Sequence, residues 1–566
     1  MKKLPYGISN FEELITDGYY YVDKTPYIEE FENLSEKRIM LLRPRKFGKT
    51  LFTSTLENYY DIKKADKFEK LFKQTYIYNH QTPQKNSYHI LRFNFSGIDT
   101  SDENSTMKGF KNKVASSIEV FAKKYELDFF VNVEDEAENI LNNLFKAFYL
   151  QKKAQKIYVI IDEYDHFANE LLSFNTNKFK ELVAKNGKIR KWYEILKEGT
   201  ESVVDRIFIT GVAPITLDSL TSGFNICSDK TLDDRFNKML GFTKEELIKL
   251  MKDQEINDEK IDELMPILKE NYDGYKFSTT AKEQIYNSNM CLYFINEYKS
   301  HEDTVPKRLI DMNIASDYSK LSKMLELCQS ENRIDILKKT ISGEGVITNI
   351  TEKFNPEVEF GEKEFISMLF YLGYLTIVGE ELGFPHLSVP NKVMKELYGE
   401  YFMKIVTTGL SIDLSKDYTE MVKEIALEGR IDTLVNLVQK YLSNLSNRDF
   451  QRFDEKYIKL IFYCISMNLK LFSVKSEMEV HRNYPDLLLI PVDKTKGYKS
   501  VMIEFKYLKK DEENKLQEKQ QEAKEQIKRY AEFEEIKTVE GLRKYAIVAV
   551  VDKVYVEEML LDNGFL

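Results

Sequence analysis

Arg43-Pro44-Arg45-Lys46-Phe47-Gly48-Lys49-Thr50 follows the apolar run Arg38 to Leu42 and leads into a helical pattern that begins at Lys49. Strand, basic loop and helix in that order predict a phosphate cradle, because a helix start presents unbonded N–H groups and the positive end of its dipole. The octapeptide fits GxxxxGK[ST] except that arginine stands at the first glycine. A nucleotide phosphate needs converging backbone N–H groups, a lysine that reaches the outer phosphates, and a hydroxyl on Mg²⁺. Gly48, Lys49 and Thr50 supply those three. Arg43 departs from the pattern, since a β-carbon restricts a turn that glycine makes freely.

Further strands are predicted at His89–Phe95, Ile157–Ile161 and Arg206–Thr210, separated by amphipathic segments such as Phe110–Tyr125 and Phe179–Leu196. Near-continuous apolar strands alternating with helices imply a parallel sheet covered by helices. Ile157-Tyr158-Val159-Ile160-Ile161-Asp162-Glu163 ends in two acids at the strand tip, where a P-loop fold holds its magnesium carboxylate. Asp162 is expected on the ion and Glu163 as the general base that activates water. Thr210, at the tip of another strand, is expected to sense the γ-phosphate.

These residues resemble the AAA-ATPase-like proteins of bacteria and some microbial eukaryotes, whose phosphate loop commonly reads R-P-R-x-F-G-K-[ST]. The resemblance takes in Gly7-Ile8-Ser9-Asn10-Phe11, Tyr21-Val22-Asp23-Lys24-Thr25, Thr210-Gly211-Val212, Asp234-Arg235-Phe236 and Tyr272-Asp273-Gly274-Tyr275-Lys276-Phe277, over roughly residues 5 to 300. It makes Arg43 a family trait within the nucleotide-binding loop and Arg235 a nucleotide-sensing arginine. It implies ATP as the ligand, and supports binding better than fast turnover.

The C-terminal part reads as a helix near Glu455–Leu469, strands at Leu471–Val480, Asp486–Pro491 and Ser500–Lys506, a charged helix near Lys515–Phe533 and a final strand at Tyr545–Val551. Asp486 opens one strand, and Glu504 and Lys506 share a face of the next because side chains alternate with period two. Two carboxylates can hold a hard cation, Mg²⁺ or Mn²⁺, while a lysine positions the attacking water on a phosphodiester. Pro485-Asp486 with Glu504-Phe505-Lys506 is the PD-(D/E)XK signature. Its surroundings resemble the variant nuclease domain commonly fused to the AAA-ATPase-like module, with Asn483 where that variant carries glycine. Glu477 and Glu479 on the preceding strand are both candidates for a further metal ligand, with Glu477 preferred. Gln526 and Tyr530 match the family's Q-I-x-x-x-Y helix pattern with one residue of slack in the tyrosine. Gln526 is expected to contact phosphate or support Lys506, and Tyr530 to sit in the core. His166 is expected on a helix face, and Trp192, the only tryptophan, in the core.

The 566 residues exceed a single core, which rarely grows past roughly 250–300 residues. The expected organisation is α/β: residues 1–300 an ATPase-like P-loop domain, 301–442 a mainly helical region, and 443–566 a restriction-endonuclease-like α-β-β-β-α-β domain. Past Thr231 helical patterns dominate, with helices predicted at Lys244–Lys252, Lys260–Glu270, Ala315–Cys328, Glu364–Tyr371 and Lys416–Leu442, and a small helix-plus-hairpin module at Asn355–Pro390. Four scattered cysteines without a CxxC pair, no apolar leader and no membrane-length apolar run point to the cytoplasm and away from membranes. A net charge of −10 gives no global attraction for nucleic acid, so contacts fall to local basic patches at Arg43–Lys49, Lys494–Lys499 and Lys506–Lys510.

The leading expectation is an ATP-regulated, metal-dependent nuclease acting on DNA, with RNA and homo-oligomer formation left open. The second is a nucleotide-switched interaction protein whose nuclease fold binds nucleic acid without cutting. A helicase or translocase fits less well, because only one ATPase core is visible.

Overall fold

The computed structural model describes residues 2–166, 188–214, 226–306, 308–311, 336, 339–341, 343–354, 361–407, 414–444, 454–467, 469, 471–476 and 484–559. The chain divides into two compact units, one of residues 1–331 and 347–393, the other of 332–346 and 394–566.

The first unit is built on β1 (Arg38–Leu42), β2 (His89–Asn94), β3 (Ile157–Asp162), β4 (Val204–Gly211) and the short β5 (Ser228–Asp229). They form one sheet of order β2-β3-β4-β1-β5, parallel throughout. Every residue of β3 is buried, as a strand covered on both faces must be. Register shows how the faces divide: Phe93 pairs with Ile161 and Phe208 with Ile160, so the two phenylalanines point to opposite sides. On Phe208's side lie Phe52 of α1 (Lys49–Tyr60) and Phe31. On Phe93's side, Phe95, Phe110 of α2 (Glu103–Lys124) and Trp192 of α4 (Lys188–Gly199) pack edge to face or stacked, α4 resting on α3 (Ala137–Leu150). Trp192 is core, as expected.

Thr376 of the hairpin β6 (Thr376–Glu381) and β7 (Phe384–Ser388) exchanges hydrogen bonds with the backbone of Lys276, at 2.8 and 3.3 Å. That tie places the predicted helix-plus-hairpin module within the first unit.

The second unit carries α5 (Asp432–Leu442), α6 (Glu455–Met467), β8 (Phe472–Lys475), β9 (Leu487–Pro491), β10 (Ser500–Leu508), α7 (Leu516–Ala531), β11 (Leu542–Val550) and β12 (Lys553–Glu558). The sheet runs β12-β11-β10-β9-β8, with β10 and β11 parallel and the other pairs antiparallel. Ala523, Ile527 and Tyr530 of α7 pack on Tyr484, Leu488, Met502 and Ala546, so Tyr530 belongs to the core as predicted.

Three expectations about elements change. The last strand is followed by another, β12, which a turn with Val551 at φ 53° folds back onto β11. The helix expected over Lys416–Leu442 is interrupted near Gly429, left-handed at φ 72°, because Glu424 turns back to accept the Asp432 and Thr433 N–H groups at the start of α5. The helical stretch 301–442, read above as a region of its own, divides between the two units. The Tyr545 hydroxyl donates to Gly429 O at 2.9 Å, and Val554 N donates to Gln439 Oε1 at 2.8 Å, which binds 429–439 to the nuclease-like sheet. The helix predicted at Ala315–Cys328 lies outside the described residues.

Those two bonds give a prediction about fragments. A C-terminal piece beginning at Ser443 lacks both partners and should unfold more readily than one beginning at Met394. Denaturant unfolding followed by circular dichroism should separate their stabilities by about 2 kcal/mol or more, taking roughly 1 kcal/mol for each buried hydrogen bond lost. Equal midpoints would contradict this.

Candidate functional sites in the two units

In the first unit the loop after β1 opens into a cavity of about 430 Å³. Arg45 to Thr50 form one wall. Glu163, Asp165 and His166 come from the loop after β3, and Val212 from the end of β4. Gly7–Ser9, Tyr20–Val22, Leu240–Phe242 and Ser288 are among the other lining residues. Gly48 has φ 94°, a left-handed conformation that glycine adopts without strain, and it starts α1. Lys49 Nζ donates to the carbonyls of Arg43 at 2.9 Å and Pro44 at 2.8 Å, which folds the side chain along the loop. Burial pushes its ammonium down to about 8, partly offset by Asp165, Glu163 and Asp162.

Asp162 is fully buried at the tip of β3. Burial raises its carboxyl above the usual range, against Arg92 and the Thr50 hydroxyl, which favour the anion. Arg92 Nη2 lies 3.5 Å from Asp162 Oδ2, while Oδ1 is buried with no hydrogen-bond partner among the described residues. An orphaned carboxylate oxygen beside a threonine hydroxyl suits a hard cation brought in with nucleotide phosphates. Glu163 reaches the cavity from a left-handed φ of 51° and pairs with His166 Nδ1 at 3.3 Å. The hydrogen bond from His166 holds its carboxyl below the ordinary value. His166 is thus a cavity residue, and its own backbone is helical, as expected.

Three expected nucleotide contacts sit elsewhere. Arg43 faces away from the cavity, its guanidinium donating to Leu42 O (2.8 Å), Thr231 O (2.9 Å) and Phe236 O (2.7 Å) and lying 4.2 Å over the Phe277 ring. Burial alone brings it down to about 9. Thr210 spends its hydroxyl on Leu41 O at 2.8 Å, joining β4 to β1. Arg235 is half-exposed outside the cavity and paired with Asp233 at 2.6 Å, because the turn at 233–235 brings the two together. Asp165, by contrast, was not singled out in the sequence: it accepts from Val212 N (3.0 Å) and Ala213 N (2.8 Å) and lines the cavity. Gly211 makes that possible, since a β-carbon there would collide with the Asp165 carboxylate and the Tyr164 ring.

In the second unit Asp486, Glu504 and Lys506 come together at one end of β9 and β10. Leu488 pairs with Met502, which brings Asp486, two residues back, opposite Glu504. Asp486 N donates to Glu504 Oε2 at 3.3 Å, Asp486 Oδ2 accepts from Phe505 N at 2.8 Å, and Lys506 Nζ stands 3.4 Å from Glu504 Oε1. All three are at least 95% buried. Burial lifts both carboxyls, Asp486 well above the carboxylate range, and Glu504 adds repulsion on Asp486. Lys459 of α6 reaches Asp486 Oδ1 at 2.5 Å and Glu455 Oε1 at 3.0 Å. Neither Lys459 nor Glu455 was identified from sequence, although their i, i+4 spacing on one helix face was readable. The two carboxylates are hard oxygen donors of the kind Mg²⁺ or Mn²⁺ takes, while Lys459 and Lys506 balance their charge and no cluster of three or more acidic, histidine or cysteine side chains forms among the described residues. Gln526, on α7, keeps a buried Oε1 with no hydrogen-bond partner among the described residues, and makes no described contact with Lys506. Glu477 and Glu479 lie outside the described residues, as does Asn483.

Cradle, acidic strand tip and parallel sheet define the first unit as a P-loop nucleotide-binding fold, and the buried acid–acid–lysine cluster on a mixed sheet defines the second as a nuclease fold. Comparison with known families is more particular. Residues 5–221 match the family described as predicted AAA-ATPase, and residues 453–559 match the PD-(D/E)XK nuclease superfamily. The chain therefore carries an AAA-ATPase-like domain followed by a PD-(D/E)XK nuclease superfamily domain. An uncharacterized protein in the vnfD 5' region of Azotobacter chroococcum mcd 1 is 25% identical over 244 residues. The alignment spans 43% of this chain and 43% of that relative.

Two outcomes are expected in the first unit. Arg43→Met should destabilise it by about 2–4 kcal/mol, because carbonyls are left unpaired in a dry site, while the fraction that folds still binds nucleotide. Thermal unfolding with and without ATP checks both; a normal melting temperature with lost binding would make Arg43 a ligand contact instead. The depressed Lys49 ammonium also sets a pH dependence. Nucleotide phosphates favour the charged form, so binding takes up a proton once free Lys49 is neutral. Affinity should therefore fall as pH rises above about 8, by at most roughly tenfold per unit, and the fall should vanish in Lys49→Met. Calorimetry between pH 7 and 9.5 measures it.

Proposed function

We propose that the protein is an ATP-binding, Mg²⁺- or Mn²⁺-dependent nuclease that hydrolyses phosphodiester bonds in DNA in the cytoplasm, with nucleotide state regulating cleavage. The burial of Asp486 and Glu504 side by side with Lys506 carries this reading, since two acids so placed favour a divalent cation. When bound there, the cation would polarise the phosphate and lower the pKa of its water. Asp486 and Glu504 would hold it, and Lys506 would orient the attacking water and offset negative charge on the phosphate. Exposed Lys509 and Lys510, just beyond β10, supply local positive charge for a phosphate backbone in a chain of net charge −10. Among the described residues no helix is long and apolar enough to cross a membrane.

In the first unit Lys49 and the loop N–H groups would hold the outer phosphates, Thr50 and Asp162 a magnesium ion, and Glu163 the attacking water. His166, hydrogen-bonded to Glu163, orients that base. Regulation requires ATP to bind a cutting and a non-cutting arrangement with different affinity, because equal affinity shifts nothing.

The test is cleavage of linear, circular and single-stranded DNA, with RNA in parallel, under buffered free Mg²⁺ and graded ATP. Wild type should cut; Asp486→Ala should lose cleavage by at least a hundredfold and still bind ATP. Lys49→Ala should bind ATP at least tenfold more weakly, about 1.4 kcal/mol, and show one cleavage rate at every ATP concentration. DNA bound but uncut by wild type would replace the nuclease reading with that of a nucleotide-switched binding protein.

A further inference from the structure

The nuclease-fold site holds a second lysine that the PD-(D/E)XK signature does not contain. Lys506 belongs to β10 and stands beside Glu504 on the same strand face. Lys459 arrives from α6, on a flexible four-carbon stem, and its ammonium lies 2.5 Å from Asp486 Oδ1. Asp486 Oδ2 is already bonded to the Phe505 N–H, so Oδ1 is the oxygen left to face a cation. Lys459 has another carboxylate within reach, Glu455 at 3.0 Å one turn earlier, which is about a third exposed.

Resting on the reading of this cluster as a divalent-metal site, we infer that Lys459 is a built-in competitor for the metal: it neutralises Asp486 and yields Oδ1 to the incoming ion while keeping Glu455. Two positive groups cannot share one carboxylate oxygen in a buried site without strong repulsion, so loading and the Lys459–Asp486 contact are mutually exclusive. Lys459 is thus a positioning residue that sets the metal concentration at which the site fills. The Glu455 contact lets it leave Asp486 without becoming an unpaired charge.

The experiment is Mn²⁺ binding to the nucleotide-free, full-length protein, read from the loss of the free-ion electron paramagnetic resonance signal. Wild type, Lys459→Met, Lys459→Gln and Asp486→Asn are compared, the last subtracting any ion held elsewhere. Lys459→Met and Lys459→Gln should bind Mn²⁺ at the Asp486-dependent site at least fivefold more tightly than wild type. Their melting temperatures should also gain more from Mn²⁺ than wild type does. Gln keeps a hydrogen bond to Asp486 and so guards against a Met variant that folds poorly. Equal or weaker binding in the variants overturns the competition while leaving the metal site standing. No Asp486-dependent binding in any of them overturns the metal site and the competition with it.

Discussion

The phosphate loop depends on a buried arginine. Arg43 gives its guanidinium to carbonyls of residues 42, 231 and 236 and lays it over Phe277, which fixes the start of the loop against two segments distant in sequence, at 231–236 and at 277. Phe47, four residues on, is buried against Tyr275 and Phe277. Its carbonyl accepts Gly241 N at 3.1 Å, and Lys46 O accepts the Ser288 hydroxyl at 3.2 Å. A loop clamped from outside does not need glycine's freedom at its first position. The arginine that violates the phosphate-loop pattern is therefore what holds the loop in shape, and Phe236, Tyr275 and Phe277 are partners of the loop although they lie beyond the matched residues 5–221.

The strands and the acidic residues at their tips were legible because both leave local marks. Buried parallel strands read as apolar runs, so β1 to β4 fall where the pattern predicts, and acids at their ends stand out. Asp486, Glu504 and Lys506 follow from period-two alternation and one antiparallel pairing. What was not legible depends on side chains from elements far apart in sequence. Nothing local distinguishes an arginine aimed at phosphate from one aimed at the carbonyls of Thr231 and Phe236, so the place of Arg43 within the loop is not readable from sequence. Thr210 at a strand tip resembles a sensor until the neighbouring strand is known to offer Leu41 O. Asp165 looks like one more acid after β3 until Gly211 is seen to leave room for it. β12 is hard to read because its apolar stretch is only Val554-Tyr555-Val556, set between Lys553 and Glu557-Glu558 on an edge strand.

Each unit meets the same electrostatic problem in its own way. A carboxylate destined for a metal ion must be buried enough to exclude bulk water, yet a buried bare carboxylate is unfavourable by several kcal/mol. In the first unit Asp162 is approached by Arg92, whose guanidinium also touches Thr53 and Glu57 at 3.1 and 3.2 Å. Shared among those groups, Arg92 stays at Oδ2 and leaves Oδ1 bare. In the second unit Lys459 sits directly on the oxygen that faces the site and also reaches the Glu455 carboxylate at 3.0 Å. A planar guanidinium held by several acceptors is difficult to move, whereas an ammonium on a flexible stem moves at little cost. The choice of arginine at one site and lysine at the other thus separates a carboxylate with a permanent partner from one whose partner can be exchanged for an ion.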